Sequence, residues 1–251
     1  MKKIFLKNLI HGGLAAAFLL GVWLIAYFAT GNELLVPSPI DCVREMGALF
    51  RGVGFWRGFF ATLGRAFAAF GVSFVLAAIF AVIAYLVPSF GRILSPIASA
   101  LRSLPVLAVL LILLIWWGAA YAPVAVAFLS LFPMLYAGIS AALSQVDGEL
   151  VEMSRIYRVP LKKRIFELYL PSAAPYVLRE SGAALSFSLK LVVSAEVIAR
   201  TAKSLGGLMD EARAYQEIPT LFALVLVTFA AAILMEGLVG LVVLGVERRV
   251  K

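Results

Sequence analysis

The stretch "SLPVLAVLLILLIWWGAAYAPVAVAFLSLFPMLYAGISAALSQV", residues 103–146, runs for 44 residues without one Asp, Glu, Lys or Arg. As a single helix it would be roughly 66 Å long, about twice the thickness of a hydrocarbon core. No bilayer accepts that length in one crossing, so the segment is expected to cross, turn and cross again. The turn is expected in "WWGAAYAP", residues 116–123, where Gly118 and Pro123 interrupt a helix and Trp116, Trp117 and Tyr121 suit the membrane interface. This gives one span near Leu104–Trp117 and another near Val124–Leu143.

The rest of the chain is written in the same language. Of its 251 residues 63% are hydrophobic and 14% charged, with a mean hydropathy of +1.01. That is more apolar surface than a soluble domain of this length buries, so membrane lipid is its solvent. Further spans are expected at about Ile10–Ala29, Ala66–Val87, Ala173–Ile198 and Leu221–Val246. The reading is an all-α polytopic membrane protein of about six transmembrane helices, forming one domain over residues 1–251. A cleaved signal peptide is the alternative for the first span, which follows Lys2, Lys3 and Lys7. Against it, the apolar run is long for a signal core, and "AYFATGNE" lacks small residues at both positions before a cut.

Charge fixes the orientation. With the N-terminus in the cytoplasm, six spans put Lys2, Lys3, Lys7, Arg92, Arg102, Arg155, Arg158, Lys162, Lys163, Arg164, Arg248, Arg249 and Lys251 inside. Arg44, Arg51, Arg57, Arg65, Arg200, Lys203 and Arg213 fall outside. The segment from Arg44 to Arg65 strains this count, and a helix lying on the membrane surface there would accommodate it. The net charge of +8 follows these boundaries instead of gathering on one soluble face, which excludes a nucleic-acid binder. Cys42 and His11 each stand alone, so no disulfide framework or Cys/His metal site can be assembled.

Between the fourth and fifth spans lies a polar island, "ELVEMSRIYRVPLKKRIFELYLP", residues 149–171, carrying eight formal charges. Val146, Leu150, Met153 and Tyr157 recur on one helical face, with Glu149, Glu152 and Arg155 elsewhere around it. Pro160 suits the first turn of a second helix, in which Leu161, Ile165, Leu168 and Tyr169 share a face and Lys163 and Glu167 pair at i,i+4. Helices this short are marginal alone in water and need something to pack on. Docking on their own membrane domain is one answer; a surface shared with a soluble partner is the other.

The order Glu152-Met153-Ser154, then Arg158, then Leu168-x-Leu170-Pro171 resembles the Glu-Ala-Ala signature of permease subunits of bacterial ABC importers. Met153 and Arg158 depart from it; Arg158 stands where the family usually has Gly, so the turn there either avoids positive φ or is strained by roughly 1 kcal/mol. The segments "VPSPIDCV", "ATLGRAFAAFGVSFVLA", "LRSLPVLAVLLILLIWWG", "LVVSAEVIA" and "LGGLMDEAR" are similar, in order and spacing, to the nitrate/sulfonate/taurine type. Ala195-Glu196 matches one short motif of that type; Asp210–Arg213 matches another with Glu211 inserted.

The resemblance implies the type I ABC importer permease fold in a bacterial inner membrane, with both termini cytoplasmic. It makes residues 147–171 a coupling loop, with Glu149, Leu150, Glu152, Met153, Ser154, Tyr157, Arg158 and Pro171 as the ATPase-coupling residues. It implies as partners cytoplasmic ABC ATPase subunits, a second permease copy and an extracytoplasmic solute-binding protein. The chain contains no G-x-x-x-x-G-K-[ST] loop, so ATP and Mg are expected on the ATPase and no cofactor on this chain, which does no chemistry of its own. The cargo stays open among nitrate, sulfonates, taurine and vitamin-precursor heterocycles.

Ionisable residues inside spans are costly, about 2.5–3.5 kcal/mol each on insertion scales. Lys190, Glu196 and Glu236 qualify, with Arg179 and Glu180 nearer the cytoplasmic end of span five. Either they form ion pairs inside the bundle, such as Lys190 with Glu236, or Lys190 faces a substrate pathway and offsets a small anion, Ser186 and Ser194 adding hydroxyls at i−4 and i+4. A stand-alone ion-coupled transporter would explain these charges but leaves the island without a purpose. A membrane enzyme would need a catalytic cluster that the sequence does not supply.

Overall fold

The computed structural model describes residues 2–250, with side chains for 11–241, 243 and 245. Six of the cations counted toward the cytoplasm, Lys2, Lys3, Lys7, Arg248, Arg249 and Lys251, lie outside those described side chains. The described chain is helical throughout: α1 Lys2–Thr30, α2 Pro39–Arg51, α3 Val53–Leu86, α4 Pro88–Arg102, α5 Val106–Ser144, α6 Gly148–Ile156, α7 Leu161–Arg164, a π-helical turn Ile165–Tyr169, α8 Leu170–Ala199, α9 Leu205–Ala214 and α10 Ile218–Val250. Among the described residues, five helices are long and apolar enough to cross a membrane, the segment from Leu161 to Ala199 counting as one.

The charge-free stretch does turn, and more sharply than its sequence implied. Gly118 has φ 69° and ψ 175°, a conformation essentially reserved for glycine, and it alone separates two limbs of α5. Residues on both sides, Leu110 and Leu113 before it and Ala122 and Val126 after it, gather in one buried cluster with Ala195. The expected eight-residue turn is thus a single residue, and residues 119–123 are already helical. Pro123 leaves the carbonyl of Ala119 without its helical donor. The hydroxyl of Thr201 donates to that oxygen at 2.9 Å.

Helix directions fix the number of crossings. Ser73 Oγ donates to the Phe128 carbonyl at 3.5 Å, and the Phe80 and Phe132 rings lie 5.8 Å apart, so α3 and the second limb of α5 run parallel. Parallel neighbours require the chain to return across the membrane between them. That return is made by α4, which lies beside the bundle with Ser95 Oγ 3.3 Å from the Tyr136 hydroxyl, and by the first limb, residues 106–117. The limb rises about 18 Å, too little to cross alone. Six passages therefore arise from five long helices.

α8 runs antiparallel to α3: Ser188 Oγ donates to Ala66 O at 2.8 Å near one end and Tyr85 meets Tyr169 at 5.2 Å near the other. α10 runs antiparallel to α8, with Ser186 Oγ donating to Ala232 O at 3.0 Å. Close approach depends on small residues: Ala66, Ala69, Ser73, Ala77 and Ala81 form a buried stripe down α3. α1 stays peripheral, its apolar residues exposed, joined near its end by Trp23 Nε1 donating to Pro37 O at 3.1 Å and by the Trp23 and Phe222 rings.

Two boundaries differ from expectation. α3 begins at Val53, so Arg57 and Arg65 belong to the long helix and not to a surface segment; only α2 is a separate amphipathic helix. The second island helix is not separate either, since α7 passes through the π turn into α8 without a break. Pro171 explains the wide turn: its ring would clash with the carbonyl four residues back, and the Leu170 N–H bonds Ile165 O, five residues back, instead.

Candidate functional site

Two constellations stand out, one at each end of α8. At the first end the island sits beside the C-terminal ends of α3 and α5. Asp147 caps α6 by accepting from the Glu149 N–H at 2.9 Å. Val151 (7% exposed), Val146 and Tyr169 anchor the island to the bundle. Ser154 Oγ turns inward to the Val151 carbonyl at 2.6 Å. The remaining apolar residues of α6 point away: Leu150, Met153 (52%), Ile156 and Tyr157 (75%) are exposed, together with Glu149 and Glu152. Val146 thus leaves the face it was expected to share with Leu150, Met153 and Tyr157, and docks inward.

Arg158 has φ 54°. Its N–H bonds Arg155 O and that of Val159 bonds Ser154 O, both at 3.0 Å, which closes α6 with the left-handed cap that normally takes glycine. The strained alternative is the one realised. Lys163 and Glu167 approach to 3.9 Å with both side chains largely exposed, so the pair contributes little.

At the other end, Glu196 is completely buried and gathers three donors: Arg65 Nη1 at 2.8 Å, Thr62 Oγ1 at 2.8 Å and the Gly206 N–H at 3.2 Å. Thr62 Oγ1 in turn accepts from the Leu205 N–H at 2.9 Å, and Ser204 Oγ caps α9 by accepting from Gly207 N–H at 2.8 Å. The glycines of "LGGLMDEAR" belong to this knot: a Cβ at Gly206 would run into Glu196, and one at Gly207 into the Thr201 carbonyl. α3, α8 and α9 are fastened together here. Sequence reading took Arg65 for an outer-loop cation and did not single out Thr62 or Gly206. The usable signal was Thr62 and Arg65 three apart on one helical face, opposite an intramembrane acid.

The five residues proposed for a pathway do not converge. Lys190 and Ser194 are exposed on one face of α8 with Glu180, Ala183 and Phe187. Ser186 is buried against α10 through its bond to Ala232 O, and Glu196 is enclosed in its knot. Glu236 is exposed on α10, where it lines a cleft with Arg179 and Gly182. The pairing of Lys190 with Glu236 does not form. The register of α8 and α10 places Ser186 opposite Ala232 and Gly182 opposite Val239, which leaves Glu236 about 11 Å along the helices from Lys190. Among the described residues no cluster of three His, Cys, Asp or Glu could hold a metal ion.

The bundle thus has a folded-back third passage, a helical island between the fourth and fifth passages and a locked opposite end. Residues 73–250 match the family model of the binding-protein-dependent transport system inner membrane component, and the chain belongs to that family. It is an ABC importer permease subunit, multi-pass in the membrane, and the family works with ATPase partners. The taurine transport system permease protein TauC of Escherichia coli is 23% identical over 230 residues, covering 89% of this chain and 83% of its own. A probable ABC transporter permease of Brucella melitensis is 26% identical over 197 residues, covering 77% of this chain and 78% of its own. The fold is shared with a chain of the MetNI methionine ABC transporter in an inward-facing conformation (TM-score 0.66, 16% identity, 77% of this chain and 96% of that one). It is shared equally with a chain of an amino acid ABC transporter solved with histidines (TM-score 0.65, 20% identity, 78% and 94%).

Proposed function

We propose that this permease conducts a small anion of the sulfonate, taurine or nitrate type, or a vitamin-precursor heterocycle, and that α6 seats in a groove of a cytoplasmic ATPase that binds the ATP and Mg. The observation that carries this is the outward apolar row of α6, Leu150, Met153 and Tyr157, flanked by Glu149 and Glu152 while Val151 docks inward beside Val146 and Tyr169. Exposed apolar residues rimmed by charge mark a surface built for a partner. In this reading Ser154 and Arg158 set the shape of the helix end, and Pro171 the wide turn that leads into α8.

The island side is the cytoplasm of a bacterial inner membrane, so that α1 begins and α10 ends there. The permease works as a symmetric pair around a shared pathway, receives cargo from a solute-binding protein at the opposite face and carries out no reaction itself. Lys190 and Ser194, exposed along α8, belong to the pathway wall and offset the charge of the cargo. Glu236 contributes to a neighbouring wall, and Ser186 and Glu196 support the pathway from behind.

The test is Glu152→Lys beside Lys190→Ala in proteoliposomes holding permease, ATPase and binding protein. Glu152→Lys is expected to release the ATPase or abolish coupled uptake. Lys190→Ala is expected to abolish uptake with assembly and basal ATP hydrolysis intact. Coupled uptake by the first variant contradicts the docking role, and normal uptake by the second removes Lys190 from the pathway.

A further inference from the structure

A groove of about 1070 Å³ runs between α3 and the second limb of α5, and none of the function described above uses it. Its floor is made of small residues, Gly64 and Ala68 on α3 and Ala125 on α5, and its walls of Val72, Phe128 and Leu129. Arg65 is the one charged residue along it. Glu196 engages Nη1 of that guanidinium, while Nε and Nη2 make no hydrogen bond among the described residues. The Arg65 side chain is 21% exposed, whereas Glu196 is completely enclosed, so the free edge of the arginine is the part that the groove reaches.

Depth decides the occupant. Trp117 and Tyr121 line the same end of the groove as Arg65 and are exposed, as aromatic side chains are at the level of lipid head groups. From Arg65 the groove descends only past apolar residues, Ala68, Ala69 and Val72 on α3 and Val124, Phe128 and Leu129 on α5. A cation at head-group level above an apolar channel is complementary to one kind of molecule, a lipid with an anionic head and a hydrocarbon tail. Glu196 balances the formal charge of Arg65 but occupies only its Nη1, so Nε and Nη2 keep N–H donors that a phosphate oxygen can accept.

We infer that this groove is a binding site for an anionic phospholipid of the leaflet opposite the island, its phosphate on Arg65 and an acyl chain laid between α3 and α5. The test uses the full-length protein in phosphatidylcholine nanodiscs carrying a minor fraction of spin-labelled phosphatidylglycerol or, in a parallel sample, spin-labelled phosphatidylcholine. The immobilised fraction is expected to favour phosphatidylglycerol by about twofold, less than the roughly fivefold that one unpaired basic residue supplies. Arg65→Gln should bring the two lipids to parity. Gly64→Phe keeps Arg65 and Glu196 paired and puts a ring where an added Cβ meets nothing within 4 Å, so it should reduce retention of both lipids. If Arg65→Gln does not fold, Gly64→Phe carries the test alone. Equal retention of both lipids by the unaltered protein overturns the inference, as does unchanged retention by Gly64→Phe. A disulfide formed between two copies through Ala68→Cys would overturn it too, since a second protein chain would then fill the groove.

Discussion

Arg65 on α3 and Glu196 on α8 stand 131 positions apart in the chain and meet at 2.8 Å, the acid fully enclosed and the base partly so. Removing one member of such a pair strands the other, at about 3–5 kcal/mol for fully buried cases. Glu196→Ala is expected to approach that loss, and Glu196→Gln, which keeps an acceptor for Thr62 and Gly206, to cost less. Thermal unfolding of the two variants in detergent decides it; equal melting temperatures would mean that the retained acceptor contributes nothing, and a Glu196→Gln variant melting like the parent would mean that the charge contributes nothing.

Gly206→Ala tests the same knot by shape. An added methyl meets the Glu196 side chain and the α8 backbone at separations that real Cβ atoms do not show, so α9 has to shift. Folded yield should fall sharply, whereas Gly237→Ala, with nothing within 4 Å of the added atom, should melt like the parent.

Arg158 is held at positive φ by two cap hydrogen bonds. Arg158→Gly should therefore stabilise the isolated permease by about 1 kcal/mol. A lower melting temperature would show that the arginine makes up for its strain through contacts of its side chain.

The two faces of α6 should separate in experiment. Val151→Ala is expected to destabilise the permease by roughly 1–2 kcal/mol because it opens space under the helix. Leu150→Ser and Tyr157→Ser, on the exposed face, should leave its melting temperature unchanged and weaken ATPase co-purification. Loss of permease stability in the exposed-face variants would place their contacts within this chain.

Cys42 is fully buried on α2, and burial, with Asp41 beside it, pushes its thiol up to about 11. The folded protein should resist maleimide at neutral pH and react once unfolded. Because the folded form holds its proton to higher pH than the unfolded one, its contribution is intact below about pH 9 and lost as pH rises toward 11. Labelling of the native protein at neutral pH as fast as a free thiol would contradict this.

Much of the architecture is legible in the residues because lipid enforces simple rules. A charge-free run too long for one crossing demands a reversal, and Gly118 was the residue able to make it. The polar island announced itself by contrast. What stayed hidden depends on partners distant in sequence. Arg65 looks like an ordinary boundary cation until Glu196 is seen beside it, and Pro123 looks like a helix breaker until Thr201 supplies the missing donor. The fusion of α7 with α8 was hidden for a different reason: the second island helix and the fifth span read as separate elements on either side of Pro171, yet a wider turn absorbs that proline. Likewise, hydropathy could not tell which of Val146, Leu150 and Val151 would face inward.

From Leu161 to Ala199 the backbone is one continuous rod of 39 residues, about 58 Å from end to end, with a slack coil of Ile165–Tyr169 wound in near its foot. The slack amounts to one residue. Were that coil to tighten by a single register step, everything above it would swivel by about 100° relative to Leu161–Arg164, and the bolt formed by Glu196 at the far tip would be the first fastening to feel the torque.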